Sequence, residues 1–99
     1  MSDDILKTTT KTALVYGKSN CPNCTSAKLL LEKNNYVIDY VSLDDAEARK
    51  EFYAKTQEEL GNPVMSVPQI WCNNQYIGGY QALIEYIAVE NSVKFDEEF

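Results

Sequence analysis

Residues 13–24 read ALVYGKSNCPNC, and they predict the first strand and the start of the first helix. The first four residues are apolar and β-prone, which predicts a buried central strand that ends at Gly17. From Pro22 to Lys33, apolar or small residues recur every three or four positions, which predicts a helix with one core-facing stripe. Proline suits the first turn of a helix because its missing N–H has no partner there. The stretch is therefore a strand-to-helix corner with two cysteines at the start of the helix.

A second strand and a second helix are predicted after this corner. Residues 36–43 are rich in β-branched and aromatic side chains, as strands are. Asp44 with Glu47 three residues later resembles a capping pair, so we expect the helix to begin there and to run to about Leu60. Gly61 is expected to end it.

The last third of the chain predicts a β-hairpin and a third helix. Residues 67–72 and 75–77 are short extended runs joined by the turn residues 73–74. The two glycines at 78–79 end the hairpin, and a helix is expected from there to about Asn91. Its predicted core-facing residues are Tyr80, Leu83, Ile84 and Ile87.

The element order β-α-β-α-β-β-α predicts an α/β domain of thioredoxin-like architecture. A β-α-β unit implies two parallel strands with a right-handed crossover, and the hairpin adds an antiparallel pair. We expect a four-stranded mixed sheet with helices on both faces. The predicted divisions are a flexible leader over residues 1–12, the domain over residues 13–91, and an acidic tail over residues 92–99.

Composition narrows the classes of function. The chain has 99 residues, enough for one domain, and a formal net charge of −6. Nucleic acids and anionic membranes bind positive surfaces, so neither is expected as a partner. No apolar run resembles a signal peptide or a membrane span, which predicts a cytoplasmic location. No nucleotide, flavin or metal motif is present, so no bound cofactor is expected.

The CPNC sequence at residues 21–24 carries the predicted chemistry. At a helix N-terminus, unpaired N–H groups and the helix dipole favour negative charge, so a thiolate on Cys21 is stabilised. Cysteine pKa values in such settings fall to about 3.5–7.5. Lys18, just upstream, adds a positive charge. Cys24 lies on the core-facing stripe and should be more buried. We therefore predict that Cys21 attacks a disulfide and that Cys24 resolves the product.

Two other interpretations of the CPNC sequence stay open at this point. It could form half of a zinc site, but zinc takes four ligands, and the chain offers no histidine and only Cys72 as a further thiol. It could also be a chance pair of buried cysteines, against which stands the proline between them at a strand-to-helix corner. Cys72 itself is most simply a small apolar residue in a strand.

Three segments of the chain match one family in order and spacing. They are residues 15–28, 61–70 and 76–80, and together they span about residues 13–89. On these segments the chain resembles the dithiol glutaredoxins, particularly the short bacterial type. The resemblance implies a monomeric, glutathione-dependent thiol-disulfide oxidoreductase that reduces protein disulfides and glutathione mixed disulfides. Glutathione would be its co-substrate, and disulfide-containing clients such as ribonucleotide reductase its partners.

The resemblance also implies a glutathione site. Pro68 would follow a cis peptide bond, and the backbone of Val67 would pair with a bound peptide as an added strand does. The N–H groups that follow Gly79 would receive the γ-glutamyl end. Lys18 would meet the glycine carboxylate, with Gln57 assisting from the second helix. The implied substrate-binding residues are Lys18, Asn23, Gln57, Val67, Pro68, Gly79, Tyr80 and Gln81.

Two departures from the family pattern keep alternatives open. Asn23 stands where relatives usually carry tyrosine, and Gln81-Ala82 stands where they commonly carry an acidic residue that grips the glutathione ammonium. A neutral acceptor makes a weaker bond than a charged one. One alternative is therefore a redoxin of this shape that thioredoxin reductase reduces. Another is a dimeric iron–sulfur carrier that shares a cluster through Cys21 and two glutathiones.

Overall fold

Strand β1, Lys11–Gly17, is the central element of the sheet. The structure, a computed structural model, describes residues 11–96, with side chains described as far as Asn91. The other strands are β2 (Tyr36–Ser42), β3 (Gln69–Cys72) and β4 (Gln75–Gly78). The helices are α1 (Pro22–Lys33), α2 (Ala46–Leu60) and α3 (Tyr80–Asp96).

Within the described residues, the four strands form one mixed sheet in the order β2-β1-β3-β4. Strand β2 runs parallel to β1, while β3 is antiparallel to both β1 and β4. The predicted thioredoxin-like β-α-β-α-β-β-α fold is thereby confirmed. Because β1 is flanked on both sides, its carboxyl end emerges at the centre of one edge of the sheet.

The side-chain alternation of β1 separates two hydrophobic clusters. Val15 faces a cluster that includes residues of α1 and α3, while Tyr16 faces the cluster of α2. The Tyr16 ring lies 4.5 Å from that of Phe52 and 5.6 Å from that of Trp71. Helices therefore cover both faces, as predicted. The buried residues of the first cluster are Ala13, Val15, Ala27, Leu31, Tyr36, Ile70, Cys72, Leu83 and Ile87.

The predicted cap of α2 is wrong by one residue. Asp45, not Asp44, is the N-cap, and its Oδ2 accepts the backbone N–H of Ala48 at 3.0 Å. Asp44 Oδ1 instead accepts the backbone N–H of Ser19, which belongs to the loop after β1. Either of the two adjacent aspartates could cap the helix, and the contact with Ser19 determines which one is used. The end of α2 is as predicted, with Gly61 left-handed at φ 88°.

The hairpin turn is formed as predicted. Asn73 and Asn74 have φ of 50° and 70°, and asparagine tolerates this left-handed region better than most residues do. The turn is tied to β1, since the Asn73 N–H donates to the Thr12 carbonyl at 2.8 Å and its side chain accepts the Thr12 N–H at 3.0 Å. Residues 11–12 of the predicted leader thus belong to the sheet, and residues 1–10 lie outside the described residues.

Helix α3 differs from expectation in its buried side and its length. Ile84, predicted to face the core, is 37% exposed, whereas Leu83 and Ile87 are buried and Tyr86 packs against them. The helix also continues past residue 91 to Asp96, and residues 97–99 of the predicted tail lie outside the described residues. Over residues 11–96, no helix has the length and apolar character needed to cross a membrane.

Candidate redox site

The carboxyl end of β1 lies between two neighbouring segments. In the parallel pairing Gly17 lies opposite Ser42, and the Leu43 N–H donates to the Gly17 carbonyl at 2.7 Å. In the antiparallel pairing Tyr16 lies opposite Gln69. The loop that leaves β1 therefore emerges beside the end of β2 and beside the residues that precede β3.

Cys21 and Cys24 form a disulfide at this corner. Their Cα atoms are 5.2 Å apart, a normal span for the bond. Cys24 is 1% exposed, while Cys21 is only half-buried. The predicted pairing is confirmed, and so is the predicted difference in exposure between the two sulfurs.

The N-terminus of α1 places partial positive charge next to Cys21. Cys21 is the N-cap of α1, and its Sγ accepts the backbone N–H of Cys24 at 3.1 Å. The first turn of α1 contains no acidic side chain that would oppose a negative charge. A thiolate on Cys21 would therefore keep an N–H donor and the favourable end of the helix dipole.

Asp44 holds the loop that leads to Cys21. Its carboxylate accepts the Ser19 N–H at 3.2 Å, and its own N–H donates to Ser42 Oγ at 3.2 Å. The hydrogen bonds from Ser19, with a smaller contribution from the nearby charge of Lys18, hold the pKa of Asp44 below its usual value. Lys18 is exposed. Sequence analysis missed this role because it assigned Asp44 to the cap of α2.

The segment before β3 contains the predicted cis bond. The Val67–Pro68 peptide is cis, and Val67 packs against the α2-side cluster while Pro68 is buried. A buried side chain braces this segment, because Gln69 donates from Nε2 to Ser66 Oγ at 3.1 Å and accepts the Tyr76 hydroxyl at 2.6 Å. These hydrogen bonds were not predicted from the sequence. The only feature that could have indicated them is a glutamine at the start of a buried strand.

The start of α3 lies against the cis proline. A Cβ atom built on Gly79 would be 3.6 Å from the Pro68 carbonyl oxygen, so the two segments touch. The Gly79 carbonyl accepts the N–H of Leu83 at 3.0 Å, so the first free N–H groups of α3 follow Gly79. Tyr80 is half-buried and Gln81 is exposed in this first turn.

Two predicted site residues are less directly connected to the disulfide. Asn23 is exposed in the first turn of α1. Gln57 lies in the last turn of α2, where its Nε2 donates to the Gly61 carbonyl at 3.2 Å. Among the described residues, no hydrogen bond joins Gln57 to the CPNC corner.

Sequence analysis missed three residues beside Cys24. A Cβ atom on Gly17 would be 2.9 Å from Cys24 Sγ and 3.0 Å from Tyr40 Cζ, with the Tyr40 hydroxyl closer still. Lys28 Nζ lies 4.0 Å from the centre of the Tyr40 ring. The signal that could have found this contact is the glycine itself, because glycine at a strand end often marks close approach of another group. Over residues 11–96, no group of three or more His, Cys, Asp or Glu side chains is arranged to hold a metal.

Comparison with known proteins gives one consistent result. The family model described as Glutaredoxin matches residues 13–77. Glutaredoxin 1 of Escherichia coli is 39% identical over 69 residues, which cover 68% of this chain and 81% of that protein. The solution structure of reduced E. coli glutaredoxin superposes with a TM-score of 0.65 at 31% identity, covering 82% of this chain and 98% of that one. Glutaredoxin 1 from Francisella tularensis, solved with cacodylate, gives 0.69 at 28% identity, with 83% and 98% covered.

Proposed function

The chain belongs to the glutaredoxin family, and from this premise we propose that it is a glutathione-dependent reductase of protein disulfides and glutathione mixed disulfides. It is a thiol-disulfide oxidoreductase of the glutaredoxin type, and Cys21 and Cys24 are its dithiol. The dependence on glutathione and the separate roles of the two sulfurs are the proposed part.

One observation carries the assignment of roles. Cys21 caps α1 and receives the Cys24 N–H on its sulfur, whereas Cys24 is enclosed. Attack by a thiolate on an incoming disulfide needs both a stabilised negative charge and access. Only Cys21 has both. Cys21 is therefore the nucleophile and Cys24 the resolving thiol.

The cycle follows from these roles. The Cys21 thiolate attacks a client disulfide, forming a mixed disulfide and releasing one client thiolate. The Cys24 thiolate then attacks Cys21 Sγ, which forms the intramolecular disulfide and releases the second client thiolate. One glutathione thiolate opens that disulfide by bonding to Cys21, and a second removes the first as glutathione disulfide. Two electrons thus pass from two glutathiones to one client disulfide.

The surroundings of the corner support glutathione as the reductant. The exposed Lys18 and the free N–H groups after Gly79 are suited to the two carboxylates of the tripeptide. Val67 precedes the cis proline outside the strand, where its backbone can accept a peptide as an added strand. The remaining proposed contacts come from Asn23, Gln57, Pro68, Tyr80 and Gln81.

The proposed setting is that of the short bacterial glutaredoxins. We infer a monomer in the cytoplasm that acts on disulfide-containing proteins, with ribonucleotide reductase as a candidate client. The net charge of −6 supports the absence of nucleic acid and of anionic membrane among its partners.

Turnover of a glutathione mixed disulfide tests the proposal. The assay follows reduction of the mixed disulfide of glutathione and mercaptoethanol, coupled to glutathione reductase. We expect turnover by the wild type and none by Cys21→Ser, with Cys72→Ser as the matched control at full rate. Full activity in Cys21→Ser would contradict the assigned nucleophile.

The start of α3 favours one alternative reductant. Gln81 is exposed and uncharged where a carboxylate would bind the glutathione ammonium more strongly. Rapid reduction by thioredoxin reductase, with no glutathione turnover by the folded wild type, would select that alternative. The iron–sulfur alternative has its own test, because a chain that carries a cluster absorbs visible light after anaerobic reconstitution and this one is expected not to.

A further inference from the structure

The buried sulfur of Cys24 and the hydroxyl of Tyr40 both lie beside Gly17. Cys24 Sγ and the end of the Tyr40 side chain both approach the position that a Cβ atom would occupy on Gly17, at 2.9 Å for the sulfur and 3.0 Å for Tyr40 Cζ. The Tyr40 hydroxyl is the atom nearest to that position. Glycine at position 17 therefore leaves open a space that both the hydroxyl and the sulfur border.

The parallel pairing of β1 and β2 places Tyr40 next to Gly17. Tyr40 lies opposite Val15 in the parallel β1–β2 pair, and Gly17 lies two residues further along the same strand. Side chains two residues apart on a strand share a face. The Tyr40 ring packs against the cluster that α1 and α3 cover, which is also the side from which Cys24 approaches on α1.

The Tyr40 hydroxyl makes no hydrogen bond to any of the described residues while Cys24 is in the disulfide. A thiolate is a charged acceptor, and hydrogen bonds to charged groups are about twice as strong as those between neutral groups. Opening of the Cys21–Cys24 bond would offer this half-buried hydroxyl a charged acceptor.

We propose that Tyr40 donates a hydrogen bond to the Cys24 thiolate and so stabilises this sulfur as the leaving group when the disulfide is reduced. The proposal rests on Cys21–Cys24 as the redox centre and deepens it. When a thiolate attacks Cys21 Sγ, a new S–S bond forms at Cys21 and the Cys21–Cys24 bond breaks. The electron pair of the broken bond stays on Cys24 Sγ, next to the hydroxyl. In the reverse step the same hydroxyl holds Cys24 as the thiolate that attacks Cys21.

The charges around Tyr40 keep it protonated and in place. Burial, and to a lesser degree the negative charge of Asp44, raise the pKa of Tyr40, so it stays a donor at neutral pH. The Lys28 ammonium lies 4.0 Å from the ring centre, which makes Lys28 a positioning residue. Lys18 is the other charged group near this corner, where it acts on Asp44.

The thiolate of Cys24 can be titrated directly. In a Cys21→Ser protein the ultraviolet absorbance of the thiolate is followed against pH, with and without Tyr40→Phe, in the absence of glutathione and client. Loss of one charge-assisted hydrogen bond is expected to lower the Cys24 thiolate fraction about tenfold at a given pH. In the intact dithiol protein, Tyr40→Phe should slow reduction of the disulfide by dithiothreitol about threefold, because the rate follows part of the leaving-group stabilisation.

Tyr16→Phe is the matched control. It removes the same hydroxyl from a half-buried tyrosine beside Gly17, but on the opposite face of the sheet. Neither the Cys24 titration nor the dithiothreitol rate should change. Lys28→Met should shift the titration in the same direction as Tyr40→Phe and by less.

Identical Cys24 titrations with and without Tyr40→Phe would overturn the proposal. An effect of Lys28→Met on the titration as large as that of Tyr40→Phe, or larger, would also overturn it. Because glutathione is absent from the titration, failure of glutathione turnover would leave this result standing. The two proposals therefore fail separately.

Discussion

Cys24 and Cys72 are both fully buried, at 1% and 0% exposure, and yet they lie in different chemical surroundings. Cys24 is on the first turn of α1, near Gly17 at the carboxyl end of β1. Cys72 is on β3 and pairs with Ala13 of β1. Ala13 lies four residues before Gly17, so the two sites are about 13 Å apart along β1. One sulfur is in a disulfide and the other is a free thiol.

The surroundings of Cys72 disfavour its thiolate. Burial, and then the carboxylate of Glu90, raise its pKa to about 11. That carboxylate is fixed in place, because the Tyr36 hydroxyl donates to its two oxygens at 3.0 and 3.2 Å. Lys11 completes the group, 4.0 Å from Glu90 and 4.8 Å from the centre of the Tyr36 ring.

The comparison shows that burial alone does not decide what a cysteine does. Cys24 is bonded to a second sulfur and lies in the first turn of a helix, and both features favour its release as a thiolate. Cys72 has a hydroxyl near it, that of Tyr36, which lowers its pKa as Lys11 does, but burial and the Glu90 carboxylate outweigh both. Cys72 is a free thiol. The first is expected to be a redox residue and the second a packing residue that joins β3 to α3.

Serine substitutions of Cys24 and Cys72 are expected to differ more than any other pair of variants. Cys24→Ser removes the sulfur that completes the intramolecular disulfide, so reduction of protein disulfides by the two-thiol route should be lost. Cys72→Ser should keep wild-type turnover. Mass spectrometry of each oxidised protein provides the direct measurement, since only Cys72→Ser should still lose two hydrogens on oxidation. If Cys72→Ser could not form the disulfide, the conclusion that Cys72 is only a packing residue would be wrong.

Measurements of stability at alkaline pH test the surroundings of Cys72. Its folded pKa, about 11, lies above the ordinary value of 9.0, so the stabilisation is complete below pH 9 and is lost as the pH rises through 11. That difference corresponds to at most about 3 kcal/mol.

Denaturant unfolding of the oxidised protein between pH 8 and pH 11 should therefore show a steeper fall in the free energy of unfolding for the wild type than for Cys72→Ala. The Cys21–Cys24 disulfide does not titrate, and Tyr36 is common to both proteins. Parallel curves would show that the Cys72 site does not resist ionisation.

Gly17→Ala tests the space at the other cysteine. The added methyl would lie 2.9 Å from Cys24 Sγ and would also meet Tyr40, and overpacking of this kind costs about 1–3 kcal/mol. We expect a lower free energy of unfolding together with a changed rate of disulfide reduction by dithiothreitol. Gly61→Ala is the control, because it meets no atom within 4 Å but takes an unfavourable φ of 88°. It should lose stability while the dithiothreitol rate stays at the wild-type value. Equal rates in both variants would argue against a tight contact at Gly17.

The smallest expected effect concerns the charges around Glu90. Lys11 and Glu90 have side chains 34% and 31% exposed, so their ion pair is well screened. Lys11→Met should lower the free energy of unfolding by less than about 1 kcal/mol, and added salt should shrink the difference. Lys55→Met, which breaks the exposed 3.0 Å pair with Glu59, is a matched comparison with a similar small loss. A loss of several kcal/mol for Lys11→Met alone would show that Lys11 supports the whole Cys72 site.

Several parts of the fold could be predicted from the sequence because they depend on local rules. The strand-to-helix corner at residues 13–33 follows from a change of apolar period from a continuous run to a three-and-four repeat. The hairpin follows from two asparagines that tolerate positive φ. Cys21 at a helix start and Cys24 one turn later follow from the same period, and the disulfide is their direct consequence.

Other features depend on residues that are distant along the chain. Local sequence favoured Asp44 over Asp45 as the cap, but Ser19, 25 residues earlier, donates its N–H to Asp44. Ile84 fits the helical stripe as well as Tyr86 does, and only the sheet beneath α3 decides which is covered. Periodicity carries no information about such choices, because it records the face of an element and not its neighbour.

The two cysteine sites show the same division. The sequence alone determined that residues 21–24 form a dithiol at a helix start, since every group needed lies within one turn of α1. Tertiary packing alone places Tyr40 and Cys24 beside Gly17, and Glu90 and Tyr36 near Cys72. Those contacts depend on the register of the parallel β1–β2 pair and on the packing of α3. Hydrogen bonds and desolvation act through space, so they can shift the chemistry of a sulfur from residues that no local pattern connects to it.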